Sequence, residues 1–276
     1  LKGYLAASVD EVYFDSIAAK IDLFVGEQQK WIQLNTDSID KRAMDESGFI
    51  AANFTDKPVN FIELEQVKER IISYYEKNGY PFASVYLDSL QLKNVAIEGV
   101  LKVKTGPLYH IDSIRIIGKA KLSNNFLQHY LSLPNGSVYN KQKLEQVGKR
   151  MLELPYVEEQ QPSELIMLGT GSVLNLYLHP KKSSQVNFLV GFLPSNNVTG
   201  KLQLTGDINL NLKNALGKGE TILLNWQQLQ LQSPRLNIGY QHPFIFNSSF
   251  GIDFSFELFK KDSAFLQLNA QFGLQY

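Results

Sequence analysis

The sequence contains no cysteine, which removes disulfide frameworks and thiolate metal sites. It holds four histidines, His110, His129, His179 and His242. None has a second histidine at i+2 to i+4, so no metal site is expected. It carries no net charge, with 27 Lys+Arg against 27 Asp+Glu, which gives no global case for nucleic acid or an acidic partner. No apolar run approaches the roughly 18 residues of a membrane helix. Phosphate loops are missing too. Gly169-Thr170-Gly171 lacks the third glycine of a dinucleotide loop, and Gly217-Lys218-Gly219 has no glycine at the required upstream spacing. No enzyme activity and no cofactor are therefore expected. The chain opens at Leu1-Lys2-Gly3, without Met or a leader pattern, and its start reads as lying inside a domain.

What the sequence does have is a repeated unit. Asn60 is placed to cap a helix, with Glu63 completing a capping box. Leu64, Val67, Ile71 and Tyr74/Tyr75 then recur at helical spacing. Asn78-Gly79 stops the helix, and two strand-like runs follow, Phe82–Leu92 and Val95–Lys104. Gly79-Tyr80 with Ala83-Ser84-Val85 repeats Gly3-Tyr4 with Ala7-Ser8-Val9, 76 residues earlier. A looser copy begins at the strand Tyr109–Ile117. In it, Ser123 caps a helix containing Phe126, Leu127, Tyr130 and Leu131. Asn140 caps a second helix with Leu144, Val147 and Met151 on one face, and strands near Val157–Leu168 and Ser172–His179 close the unit. Repetition at this length indicates small modules in series, each running strand, helix, helix, strand, strand.

Composition changes after residue 182. Residues 1–182 contain 21 Lys+Arg and 22 Asp+Glu, whereas residues 183–276 contain 6 and 5. The second region alternates with period two. Leu202, Leu204, Gly206, Ile208, Leu210 and Leu212 lie on one face, and Lys201, Gln203, Thr205, Asp207, Asn209 and Asn211 on the other. Val186, Phe188, Val190 and Phe192 begin the series. Phe250 to Leu258 and Leu266 to Tyr276 repeat it, and a change of phase near Gln227-Gln228 predicts a bulge before Leu229 and Leu231. About six such strands are expected. Twelve residues at roughly 3.3 Å each, tilted by about 40°, rise about 30 Å, the height of an outer-membrane barrel wall. Pattern alone leaves a soluble antiparallel sandwich open. Strand length, the Gln/Asn-rich second face and the scarcity of charge favour the barrel, which six strands do not close.

Modules of this order followed by such strands resemble the outer-membrane assembly and translocation family represented by BamA and TamA. Residues Asn211 to Glu220 are similar to the family's tight turn leading into a long strand. Tyr240-Gln241-His242-Pro243-Phe244 is similar to its strand end before a periplasmic turn. The resemblance implies α+β POTRA modules (β-α-α-β-β) followed by the N-terminal strands of an antiparallel transmembrane β-barrel. On that pattern residues 1–29 are the last hairpin of a truncated module, 30–107 and 108–182 complete modules, and 183–276 the first strands of an incomplete barrel.

It also implies a bacterial outer-membrane location with the modules in the periplasm, and a role in inserting or translocating other proteins. Its partners would be unfolded outer-membrane protein clients, outer-membrane lipid and accessory lipoproteins, with no nucleic acid. An edge strand with unpaired backbone groups would capture clients: Ser84, Val85, Tyr86 and Leu87 in the middle module, with Val157–Leu168 its counterpart in the last. The first barrel strand, through Val186, Asn187, Phe188, Leu189 and Val190, would form a weak seam, to which Gly191 contributes. Lys181-Lys182 are solvated loop charges or contacts to lipid headgroups. Alternatives are a dedicated secretion pore, a barrel anchoring an enzyme or adhesin domain, and a soluble binding protein ending in a sandwich.

Overall fold

The computed structural model describes residues 3–193, 203–228, 233–262 and 264–276. The chain divides into two compact units, Leu1–Tyr109 with Val138–Gln142, and His110–Ser137 with Lys143–Tyr276.

The first unit begins with an antiparallel hairpin, β1 (Ser8–Phe14) and β2 (Ala19–Phe24). Next come β3 (Lys30–Asn35), the helices α1 (Lys41–Ser47) and α2 (Phe61–Lys77), then β4 (Ser84–Lys93) and β5 (Ala96–Lys104). The sheet order is β3-β5-β4, with β3 parallel to β5 and β4 antiparallel to it. A parallel pair needs a crossover, and the two helices supply it. Leu64, Val67, Ile71 and Tyr75 of α2 are buried with Trp31, Leu34 and Leu101. The cap differs from a full capping box. The Asn60 carboxamide oxygen accepts from the Glu63 N–H at 3.4 Å, but the return bond runs from Asn60 Nδ2 to Glu63 Oε2 at 3.3 Å rather than to the Asn60 backbone. Gly79 ends the helix at φ +100°, where a Cβ would collide with Leu108 and Val138.

From His110 onward the chain repeats the order with β6 (His110–Ile117), α3 (Asn124–Leu131), β7 (Ser137–Val138), α4 (Lys141–Glu145), α5 (Val147–Glu153), β8 (Val157–Leu168) and β9 (Gly171–Pro180). Here β6 runs parallel to β9, and β8 antiparallel to it. Ser123 caps α3 as expected, accepting from the Phe126 N–H at 3.2 Å. The single helix expected after Asn140 is instead two. Gln146 interrupts it, with its N–H bonded to Lys143 O in a tightened turn. Val147 and Met151 still reach the core, beside Leu127, Leu174 and Leu176.

Six antiparallel strands follow in sequence order: β10 (Gln185–Leu193), β11 (Gln203–Lys213), β12 (Thr221–Gln228), β13 (Arg235–His242), β14 (Gly251–Lys261) and β15 (Phe265–Gln275). Their register joins the alternation of each strand into common rows. Val186, Leu210, Leu224, Ile238, Phe256 and Ala270 stand in one row. Asn187, Asn209, Asn225, Asn237, Glu257 and Asn269 stand in the adjacent row on the opposite face.

Among the described residues, which stop at Gln228 on this strand, no bulge interrupts the pairing near Gln227-Gln228. Pairing runs unbroken through Ile208↔Trp226, Asp207↔Gln227 and Gly206↔Gln228. Gln227 keeps its place on the polar face because its Nε2 donates to Asp207 Oδ2 at 2.6 Å. Leu229 and Leu231, on which the change of phase rested, lie outside the described residues, as do Lys201 and Leu202.

Candidate functional site: open strand edges and a two-faced wall

The middle-module edge is built by topology. In the order β3-β5-β4, strand β4 pairs only with β5 among the described residues. Ser84 to Asp88 pair in regular register with Lys104 to Val100, and the register then shifts before Gln91. Ser89 sits there at φ +53°. This bulge, unmarked in the sequence reading, twists the strand's far half and confines regular edge to five residues. Val85 is buried, Leu87 packs on the core and Tyr86 is exposed. The strand is therefore anchored by one face while its outer backbone edge stays open. Asp88 is held to Lys102 at 2.5 Å, and that ammonium holds its carboxyl below the usual carboxylate range.

The counterpart edge, β8, is poorer. Its register shifts twice between Glu159 and Glu164, around Pro162, which has no N–H to offer. The Ser163 N–H is taken by Glu159 Oε1 at 3.0 Å. Of the two edges named from sequence, β4 is the one left regular.

Strand β10 is an edge of the six-stranded sheet, with β15 at the other. Val186, Phe188, Leu189 and Val190 are exposed. Gly191 faces Thr205 in register, and a Cβ there would lie 2.8 Å from Thr205 Oγ1.

The wall has no interior of its own. Among the described residues, every buried apolar side chain precedes residue 179. Leu204 is 58% exposed, Phe254 38% and Phe272 68%. A sandwich would bury these residues against a second sheet, and their exposure leaves them uncovered among the described residues. An exposed apolar face this wide marks a surface that meets an apolar partner, lipid or protein. Candidate groups of three or more His, Cys, Asp or Glu able to hold a metal are absent among the described residues.

Asn211 to Glu220 and Tyr240 to Phe244 are expected from sequence to be turns, with no contact to the last module foreseen. The turn from β11 to β12 folds over the segment before α3. Gly217 O accepts from the Ser123 N–H at 2.7 Å, and Asn214 Nδ2 donates to Lys121 O at 2.9 Å. Glu220 is fully buried and accepts from the backbone N–H groups of Leu216 and Lys218. The next turn brings Phe244 against Phe126 and His129, with ring centroids 5.8 and 5.5 Å apart. The signal available in sequence was a lone Glu beside Gly-Lys-Gly in a charge-poor region.

Phe126 also stacks on Tyr130, whose hydroxyl donates to Arg150 O at 2.8 Å. Burial, with Glu153 beside it, pushes the Tyr130 phenol up to about 12, and burial raises Tyr156 as well. A tyrosine whose folded pKa is raised supports the fold fully below its unfolded value. That support is lost as pH rises from 10 towards about 12. Alkaline denaturation followed by circular dichroism should show this loss, and Tyr130→Phe should flatten it.

These features define a class: POTRA-type β-α-α-β-β modules continuing into an antiparallel wall with one apolar and one polar face. The POTRA family model, described as surface antigen variable number repeat, matches residues 109–187. A comparison with curated proteins returns no match. Among solved structures, the chain is similar to BamA from Haemophilus ducreyi lacking POTRA domains 1–3. Identity is 15% and the TM-score 0.52, over 89% of this chain and 46% of that one. It is also similar to CdiB from Acinetobacter baumannii, at 16% identity and TM-score 0.49 over 85% and 45%. A third is BamA POTRA3–5 from Haemophilus influenzae, at 16% and 0.40 over 64% and 74%. The chain spans less than half the length of the first two structures. Residues 109–187 match the POTRA family model, and the fold of the chain is the one seen in BamA from Haemophilus ducreyi.

Proposed function

We propose that this protein sits in the bacterial outer membrane with its modules in the periplasm, and there inserts or translocates unfolded outer-membrane proteins. Residues 30–107 and 108–182 act as modules and 183–276 as barrel wall. The observation that carries the reading is the uncovered apolar face of β10–β15, backed by a row of carboxamides on the opposite face. Such a wall is stable with acyl chains on one side and water on the other.

Clients pair with β4 through Ser84, Val85, Tyr86 and Leu87. Each added main-chain hydrogen bond contributes about 0.5–1.5 kcal/mol net. Five residues therefore bind weakly and release readily, as handling of many sequences requires. Pairing through backbone reads extended shape rather than side chains. Replacing Tyr86 by Pro should reduce site-specific crosslinking of an unfolded client at β4 by about tenfold, with the circular dichroism of the protein little changed. Crosslinking at the wild-type level would remove the edge from the mechanism.

The seam is β10, through Val186, Asn187, Phe188, Leu189 and Val190. An engineered disulfide tying Asn187 to the last strand of the complete barrel should stop client insertion into vesicles, and reduction should restore it. Full activity of the locked protein would exclude seam opening. Accessory lipoproteins are further partners in this reading, and no catalytic step is assigned to the chain.

A further inference from the structure

A cavity of about 360 Å³ opens where the turn before β12, the end of β13 and the start of α3 meet. Asn125, Phe126, Lys218, His242, Phe244 and Phe246 line it, and no carboxylate does. Lys218 is exposed and makes no ion pair among the described residues. The alternation of β13 puts His242 on the same face as Leu236, Ile238 and Tyr240, the apolar one. Tyr240 Oη lies 2.8 Å from His242 Nδ1. With the phenol donating to Nδ1, the Nε2–H is a donor left for a ligand. Asn125 Oδ1 is buried without a hydrogen-bond partner, an acceptor in want of a donor. Phe246 is 94% exposed.

These groups lie at the last residue of an outward apolar strand face, the level at which a bilayer changes from acyl chain to headgroup. A cation, an imidazole donor, an unmet acceptor and aromatic rings in one cavity at that level match one ligand chemistry. It is a phosphodiester with an ammonium a few atoms away.

We propose that this cavity binds the headgroup of a glycerophospholipid carrying phosphoethanolamine. The phosphate sits between the Lys218 ammonium and His242 Nε2–H, where charge-assisted hydrogen bonds hold it. The ligand's ammonium donates to Asn125 Oδ1 and lies against the rings of Phe126 and Phe244. The bound lipid fills the corner between the last module and the wall. The inference rests on the membrane placement of β10–β15, and not on the handling of clients.

The test uses the full chain in a phosphate-free neutral detergent, titrated with dihexanoyl phosphatidylethanolamine below its micelle concentration. Thermal shift and native mass spectrometry follow binding. Saturable binding of one lipid is expected. Lys218→Gln and His242→Phe should each weaken it about tenfold, the cost of one charge-assisted or well-placed hydrogen bond. Asn125→Leu should abolish the preference for phosphatidylethanolamine over phosphatidylglycerol of the same chain length. Lys218 is exposed, so Lys218→Gln leaves the fold intact and keeps the test decisive if the other variants fold poorly. Non-saturable uptake, wild-type affinity in Lys218→Gln, or equal competition by inorganic phosphate would overturn the proposal. Saturable binding by a protein that inserts no client would uphold the cavity and end the client reading.

Discussion

Replacing Ile238 by Arg is expected to destabilise the folded wall by about 2–4 kcal/mol in a bilayer, the cost of a guanidinium on the lipid face near mid-depth. Ile238 stands in the middle of β13, between Leu224 and Phe256 in register. Asn237, its neighbour in sequence, faces the opposite side between Asn225 and Glu257. Asn237→Arg should change stability by no more than about 0.5 kcal/mol. Urea unfolding of both variants in vesicles measures the difference. The comparison is strong because the two positions share strand, depth and substituted residue, and differ only in face. Equal destabilisation by the two variants would mean that neither face meets lipid. The membrane assignment would then fall, and the proposed function with it.

The second large effect concerns the turn that joins the last module to the wall. Gly219 has φ +76°, and a Cβ there would fall on the ring of Phe126. Gly136 has the same φ of +76°, with nothing within 4 Å. Gly136→Ala therefore bears the left-handed backbone alone, about 1–2 kcal/mol. Gly219→Ala bears that and also an overlap with a buried aromatic ring, typically a further 1–3 kcal/mol. Thermal unfolding should therefore show a loss of about 2–5 kcal/mol for Gly219→Ala against about 1–2 kcal/mol for Gly136→Ala. Hydrogen exchange locates the damage. The Ser123 N–H, bonded to Gly217 O at 2.7 Å, should exchange faster in Gly219→Ala and normally in Gly136→Ala. If both glycines respond alike, the turn does not press on the last module.

Much of the architecture was legible because it rests on short-range rules. Asn60, Gly79 and Ser123 declare helix ends through local hydrogen bonding and backbone freedom, and they sit where those rules put them. Alternation in Phe254, Phe256 and Leu258 declares a strand because successive side chains must point to opposite faces. Alternation through Ile222, Leu224 and Trp226 continues to Gln227, which stands on the polar face opposite Asp207. Gln146 breaks a helix whose apolar spacing runs on through it, so periodicity could not mark the break.

The open edges show the same division. Position in the chain named both β4 and β8, and Pro162 was visible within β8. That β4 stays regular for five residues before its bulge depends on its pairing with β5, a partner met across a hairpin. The junction was less legible still. Glu220 and Phe126 lie 94 residues apart in sequence, and their roles come from Gly217, Gly219 and Phe244 closing on one segment.

By itself, then, the sequence determined the modules, their order, and a wall with one apolar and one polar face, since each follows from neighbours a few residues apart. Tertiary structure decided which apolar faces are buried and which are left bare, which edge stays open, and which side chains enclose the cavity below the wall. Those depend on contacts between distant segments, whose free energy no local pattern records.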